Sequence, residues 1–145
     1  IGQQPRFRNR PRKLTIMHKG FLTLGALFGA LSVALGAFAA HGLKKIFEAY
    51  QLQTFETAVR YQFYHVFALI IAAILFQSFP SKAMLWACRC FVAGIIIFSG
   101  SLYALTYTQY AGLGQFRWLG MVTPFGGVSL IAGWCCMAWA VYKKD

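Results

Sequence analysis

The sequence predicts an all-α, polytopic membrane protein. It is expected to form an antiparallel bundle of four transmembrane helices, with both termini inside and a short interfacial helix between helices 1 and 2. Three observations carry this expectation. Hydrophobic residues make up 59% of the 145 residues and charged residues only 12%, where a soluble domain carries about 25% charged residues. Four apolar stretches each reach the roughly 20 residues that a helix needs to cross a bilayer. The basic residues crowd one side of those stretches. These facts exclude a water-soluble globular enzyme and a disordered chain, and they leave no room outside the membrane for a catalytic module.

The net charge of +11, from 14 Lys and Arg against 3 Asp and Glu, resembles that of a nucleic-acid binder until the charges are located. Arg6, Arg8, Arg10, Arg12, Lys13 and Lys19 precede the first span with no acid among them. Such a tail attracts anionic lipid head groups at roughly 1 kcal/mol per basic residue. It lacks the aromatic platform that single-stranded nucleic acid stacks on. Membrane lipids are therefore the expected partner, and nucleic acid is not. Residues 1–16 read as a basic N-terminal extension and 17–145 as a single four-helix membrane domain. A trimmed import sequence, an ordinary cytoplasmic tail and a non-native remnant are the open readings of the extension. His18 belongs to this tail and is expected to be solvated.

The first helix is expected at about 20–41, and its apolar run from Phe21 to Ala40 holds no charge. Gly42 is placed to close it in a left-handed cap. Leu43, Ile46, Phe47 and Tyr50 then recur at i, i+3, i+4 and i+7, the pattern of a short helix lying in the interface. Helix 2 is expected at about 55–79, with its apolar part beginning near Gln62 and His65 one turn further on. Pro80 stops that helix, and Ser81 can cap the next. Helix 3, at about 82–108, carries Arg89 one to two turns in, and helix 4 is expected at about 116–142. Within lipid each span must satisfy its own backbone, so helices are required. With the tail, Lys82, Arg89, Lys143 and Lys144 fall on one side, against Lys44, Lys45, Arg60 and Arg117 on the other. The positive-inside rule then places both termini in the cytoplasm or its equivalent. Trp86, Trp118, Trp139, Tyr61, Tyr110 and Tyr142 lie near span ends, as aromatic belts do.

Association of helices in lipid rests on close packing of small residues. Gly25, Gly29, Ser32, Gly36 and Ala40 form such a stripe along helix 1, for a contact within the bundle or with a second copy. Helix 3 holds Ser99-Gly100-Ser101, and helix 4 holds Thr123-Pro124-Phe125-Gly126-Gly127, with Gly133 beyond. Pro124 cannot donate to the carbonyl of Gly120. The hydroxyls of Ser99, Ser101 and Thr123 are the candidate partners for that carbonyl, and hydroxyls beside a broken helix are one way to build a ligand site. No internal repeat of the kind found in transporters is legible.

Ionisable groups in spans are costly and merit a functional hypothesis. His41 ends helix 1, and His65 is read at a similar depth on helix 2. Glu56, Arg60 and Tyr64 follow at i, i+4 and i+8, beside Tyr61. Glu before Arg at this spacing favours an ion pair. The cluster offers a shared site for a small ligand or proton, or a network that pins the connection between helices 1 and 2. Two histidines could ligate a haem, but a zinc site would want further ligands where acids are scarce; no metal and no cofactor is expected. Cys88, Cys90, Cys135 and Cys136 lie in apolar segments, where cysteine acts as a small hydrophobe. Cys88 and Cys135 are read at similar depth. No nucleophile–base pair is legible, so no catalytic residue is assigned and an enzyme is not expected.

The runs Leu35 to Leu43, Thr57 to His65, Phe98 to Tyr103 and Thr123 to Gly127, followed by Gly133-Trp134, resemble the YgdD-type family of small inner-membrane proteins, domain of unknown function four-two-three. The likeness covers about residues 17–142, with several motifs agreeing in order and spacing. The family reads Gly-Ala-His where this chain has Ala39-Ala40-His41. The resemblance implies four transmembrane helices in a bacterial cytoplasmic membrane, with mitochondrial relatives, and no settled activity. The expected function is that of a structural or accessory inner-membrane protein, as a homo-oligomer or within a larger complex. A ligand-binding or transport protein with a polar pocket between helices is the alternative. A packed interior around the helix 4 break favours the first, and a polar cavity reaching it favours the second.

Overall fold

In the computed structural model residues 17–143 are described, so the basic extension 1–16 and Lys144 lie outside the described residues. The described chain is helical and contains no strand. It has α1 (Lys19–His41), a 3₁₀ turn (Leu43–Lys45), α2 (Ala49–Leu75), α3 (Lys82–Gly94), a π-helical segment (Ile95–Ser99), α4 (Gly100–Tyr110), a second 3₁₀ turn (Gly114–Phe116) and α5 (Leu119–Tyr142). α3, the π segment and α4 run on as one span, Lys82–Tyr110, so four helices are long and apolar enough to cross a membrane. Four antiparallel spans bring both described ends to one face. By the charge asymmetry of the whole sequence, that face is the one expected to be inside.

Sequence expectation and structure part company at the first connection. The interfacial helix is reduced to the single turn Leu43–Lys45, and Tyr50 already belongs to α2. α2 starts at Ala49 because Glu48 and Gln51 form a reciprocal capping box there, with the Glu48 amide donating to Gln51 Oε1 at 3.0 Å. Gly42 is right-handed, with φ −93° and ψ −62°, so no left-handed cap closes α1. At its other end α2 stops at Leu75, and turns carry the chain to Pro80. Ser81 caps α3 as its position suggests, accepting from the Met84 amide at 3.2 Å. His18 is not a free tail residue. Its amide donates to Ala73 O at 3.2 Å, and its ring lies 4.5 Å from that of Phe21.

The spans form a row in which each packs mainly on its sequence neighbours, α1 on α2, α2 on the third span, and the third span on α5. The small-residue stripe of α1 faces α2. A Cβ on Gly25 would stand 2.7 Å from Ile70, one on Gly29 3.4 Å from Val66, and one on Gly36 3.6 Å from Val59. Ser32 lies buried within the stripe and turns its hydroxyl to Phe28 O at 2.8 Å. Ala39, rather than the exposed Ala40, completes it, because steps of four and three alternate to hold one face of a 3.6-residue helix. Gly29→Leu is expected to push α1 off α2 and to cost roughly 1–3 kcal/mol. Thermal unfolding in detergent would read that loss, and an unchanged midpoint would place the contact elsewhere.

A second register joins the third span to α5. Gly133 faces Phe91, Gly94 faces Leu130, and Gly126 sits against the backbone of Phe98. The main core lies here, with Leu69, Met84, Cys88 and Phe91 fully buried. All four cysteines are free thiols. α1 and α5 turn most of their surface outward, Phe125, Val128 and Ile131 among the exposed side chains, which suits contact with lipid.

Candidate functional site

The two registers set the depth of every polar residue, and they divide the expected cluster. Gly25, Gly29 and Gly36 lie opposite Ile70, Val66 and Val59, which puts His41 level with the first turns of α2. His65 is level with the middle of α1, about eleven residues deeper. At 1.5 Å per residue the two histidines are roughly 16 Å apart along the helix axis. His41 is exposed at the outer end, and His65 is 8% exposed near the middle of the bundle. They cannot share one ligand, proton or haem. The earlier start of α2 is the reason, since it sinks His65 and Tyr61 several turns below the outer surface. Among the described residues no three His, Cys, Asp or Glu side chains gather around a metal position.

His65 does not bond across helices. Its Nδ1 lies 2.7 Å from Tyr61 O on its own helix. A carbonyl only accepts, so Nδ1 carries the proton and donates. The ring packs among Tyr61, Phe91 and Trp134, with centroids 6.1 to 6.2 Å away. His65 therefore works as a buried aromatic wedge between α2 and the third span. His65→Ala is expected to cost roughly 1–3 kcal/mol through the cavity it leaves, and His65→Phe less than about 1 kcal/mol because the volume is kept. Melting of both variants in one detergent would check this. Equal losses would assign the effect to the hydrogen bond instead.

Glu56 and Arg60 do not form the expected ion pair. Arg60 Nε donates to the backbone carbonyl of Glu56 at 3.4 Å, leaving the carboxylate aside. Both side chains are exposed, as is Tyr64. Together they edge a lateral groove between α1 and α2.

The hydroxyl residues lie in the interior and serve different partners from those expected. Ser99 is 1% exposed and donates to Ala58 O of α2 at 2.8 Å. Ser101 Oγ lies 2.9 Å from Phe98 O and 2.8 Å from Thr123 Oγ1. Each hydroxyl has one proton, so Thr123 donates to Ser101 and Ser101 donates to Phe98 O. Thr123 is then linked to Leu119 O only by a long 3.5 Å contact. None of the three hydroxyls turns to Gly120 O. Pro124 leaves α5 unbroken from Leu119 to Tyr142. It sits in the second turn, so the carbonyl it frees lies near the outer boundary, where head groups and water can reach it. Gly126 and Gly133 provide close approach, whereas Gly127 is half-buried, with Phe98 no nearer than 3.8 Å to an added Cβ.

Two residues that sequence reading passed over tie the middle together. Gln62 is 2% exposed. Its Nε2 donates to Phe28 O of α1 at 3.1 Å, and its Oε1 accepts from Tyr103 OH of α4 at 3.0 Å. One amide thus joins three spans. Gln62 is the one glutamine of α2 beyond its first two turns, and an amide that deep in a spanning helix is the signal that could have found it. Ser129 adds a bond from α5 to Cys90 O at 2.9 Å.

Fold and interior together define a four-span integral membrane protein whose polar side chains stitch neighbouring helices. The chain belongs to the family described as protein of unknown function (DUF423), which matches residues 35–127. It is similar to a UPF0382 membrane protein of Staphylococcus aureus, 42% identical over 125 residues, covering 86% of this chain and 97% of the relative. The UPF0382 membrane protein YwdK of Bacillus subtilis is 41% identical over 127 residues, covering 86% and 98%. The UPF0382 inner membrane protein YgdD of Escherichia coli is 38% identical over 116 residues, covering 80% and 84%. No solved structure matches.

Proposed function

We infer that the protein is a structural or accessory component of a bacterial cytoplasmic membrane, with no catalytic activity of its own. The observation that supports this reading is how the interior polar groups are used. Ser99, Gln62, Tyr103 and Thr123 donate to neighbouring spans, and Ser101 accepts from Thr123 while donating to Phe98 O of its own span. A transport path needs polar groups that a solute can engage, and here the place beside Pro124 is filled by the contact of Gly126 with Phe98. The inner-membrane wording attached to the Escherichia coli relative supports the location, with a mitochondrial inner membrane as the alternative. Assembly as a homo-oligomer or within a larger complex goes with the large outward faces of α1 and α5.

A second reading is binding of a small ligand at the outer end. It draws on a cavity of about 390 Å³ where Tyr50, Thr108, Gln109 and Arg117 converge. Native mass spectrometry of the protein released gently from its own membrane separates the two readings. A reproducible assembly mass with exchangeable lipid alone supports the accessory role. A retained non-lipid molecule, lost on Arg117→Gln, replaces it with the binding role.

A further inference from the structure

The groove between α1 and α2 carries a charge order that matches one lipid class. Two connected hollows of about 210 and 240 Å³ share Val59 and Arg60. The outer hollow is lined by Gly36, Ala39 and Glu56 besides those two. The deeper one runs on along Ser32, Val33, Phe63 and Tyr64, an almost wholly apolar wall. The 27 residues of α2 make a helix about 40 Å long. Centred on a hydrocarbon layer about 30 Å thick, it places the Glu56 backbone about 5 Å and the Arg60 backbone about 11 Å below the outer boundary. Helical side chains lean toward the helix N-terminus, which for α2 is the outer end, so both charged groups reach up toward the head groups. They remain in the order acid above, base below.

An unpaired guanidinium facing lipid at this depth is costly unless an anion meets it. The acid four residues nearer the surface asks for a cation above that anion. We propose that this groove binds an amine-bearing zwitterionic phospholipid of the outer leaflet, of the phosphatidylethanolamine class. Its phosphate takes Arg60, its ammonium takes Glu56, and an acyl chain lies along Val33, Val59 and Phe63. An anionic head group such as phosphatidylglycerol would satisfy Arg60 and leave Glu56 facing a negative neighbour. The choice between the two lipids therefore rests on Glu56, and the strength of either rests on Arg60.

The test is native mass spectrometry of the full chain in detergent, titrated with phosphatidylethanolamine or phosphatidylglycerol of identical chains. The unaltered protein is expected to retain the ethanolamine lipid about fivefold more tightly, the size of a partly exposed charge pair. Glu56→Gln is expected to bring the ratio to about one while phosphatidylglycerol binding holds or rises. Arg60→Gln is expected to weaken both lipids about fivefold. Both residues are exposed, and melting in lipid-free detergent checks that the variants stay folded. Equal retention of the two lipids by the unaltered protein overturns the proposal. So does an unchanged ratio in Glu56→Gln, or unchanged binding of both lipids in Arg60→Gln.

Discussion

Gly126→Ala is expected to lower the stability of the bundle by about 2–3 kcal/mol, a large loss for one methyl group. The added carbon would meet the backbone nitrogen of Phe98 and stand 2.7 Å from its Cα and 2.8 Å from its Cβ. A flexible side chain could swing away from such a contact. A backbone inside a π-helical segment can yield only if the whole third span moves from α5. That movement would also stretch the Ser101–Thr123 bond of 2.8 Å, one turn further along the same interface. Gly127→Ala is the matched control, because its new carbon meets only the Phe98 ring, at 3.8 Å and beyond. Unfolding of both variants in detergent should separate them clearly. Equal midpoints would mean that the third span and α5 are not packed as described.

Gln62→Leu is expected to cost about 2 kcal/mol, since it removes two interhelical bonds and strands the Tyr103 hydroxyl. Single interhelical bonds in membranes average about 0.6 kcal/mol and reach about 1.7, so Tyr103→Phe alone should cost about 0.5–1 kcal/mol. Phe28 O loses less, because it still accepts from Ser32 at 2.8 Å. Adding Tyr103→Phe to Gln62→Leu should do no further harm and should recover part of the loss, since no hydroxyl is then left unpaired. Additive losses in the double-mutant cycle would show that the two side chains act independently.

The spans were legible because hydropathy is a local property, and a bilayer allows little but a helix for an apolar run of that length. The Ser81 cap was legible for a similar reason, as it needs only its own next three residues. The α1 stripe was legible as far as Gly36 because helical spacing alone gathers small residues onto one face. The capping box at Glu48 and Gln51 has the largest consequence, because it fixes where α2 begins. Taking the spanning part of α2 to begin near Gln62 puts His65 one turn below the surface and beside His41. Starting it at Ala49 sinks His65 and Gln62 to the middle of the bundle.

The candidate site was legible as residues and not as contacts. Ser99, Ser101 and Thr123 are indeed turned inward, yet their partners are Ala58 O, Phe98 O and each other. Spacing along one helix cannot reveal a carbonyl offered by another. The π segment at Ile95–Ser99 leaves no mark in its run of Ile-Ile-Ile-Phe-Ser, and it coincides with the place where Gly126 approaches. The Glu56–Arg60 spacing suggested a pair, while in the fold Arg60 takes a backbone carbonyl and leaves both charges on the groove.

Four membrane helices, their order, their antiparallel course and most of the small residues at which they meet can be read from the residues alone. These follow from apolar length, tight connections and helical periodicity, each of which is read within one segment. The depth of each polar group and the partner it takes emerge only when the helices are packed together. Depth depends on the register between two helices, and register is set by which side chain fits against which glycine. That is a property of pairs of surfaces, and no single segment contains it.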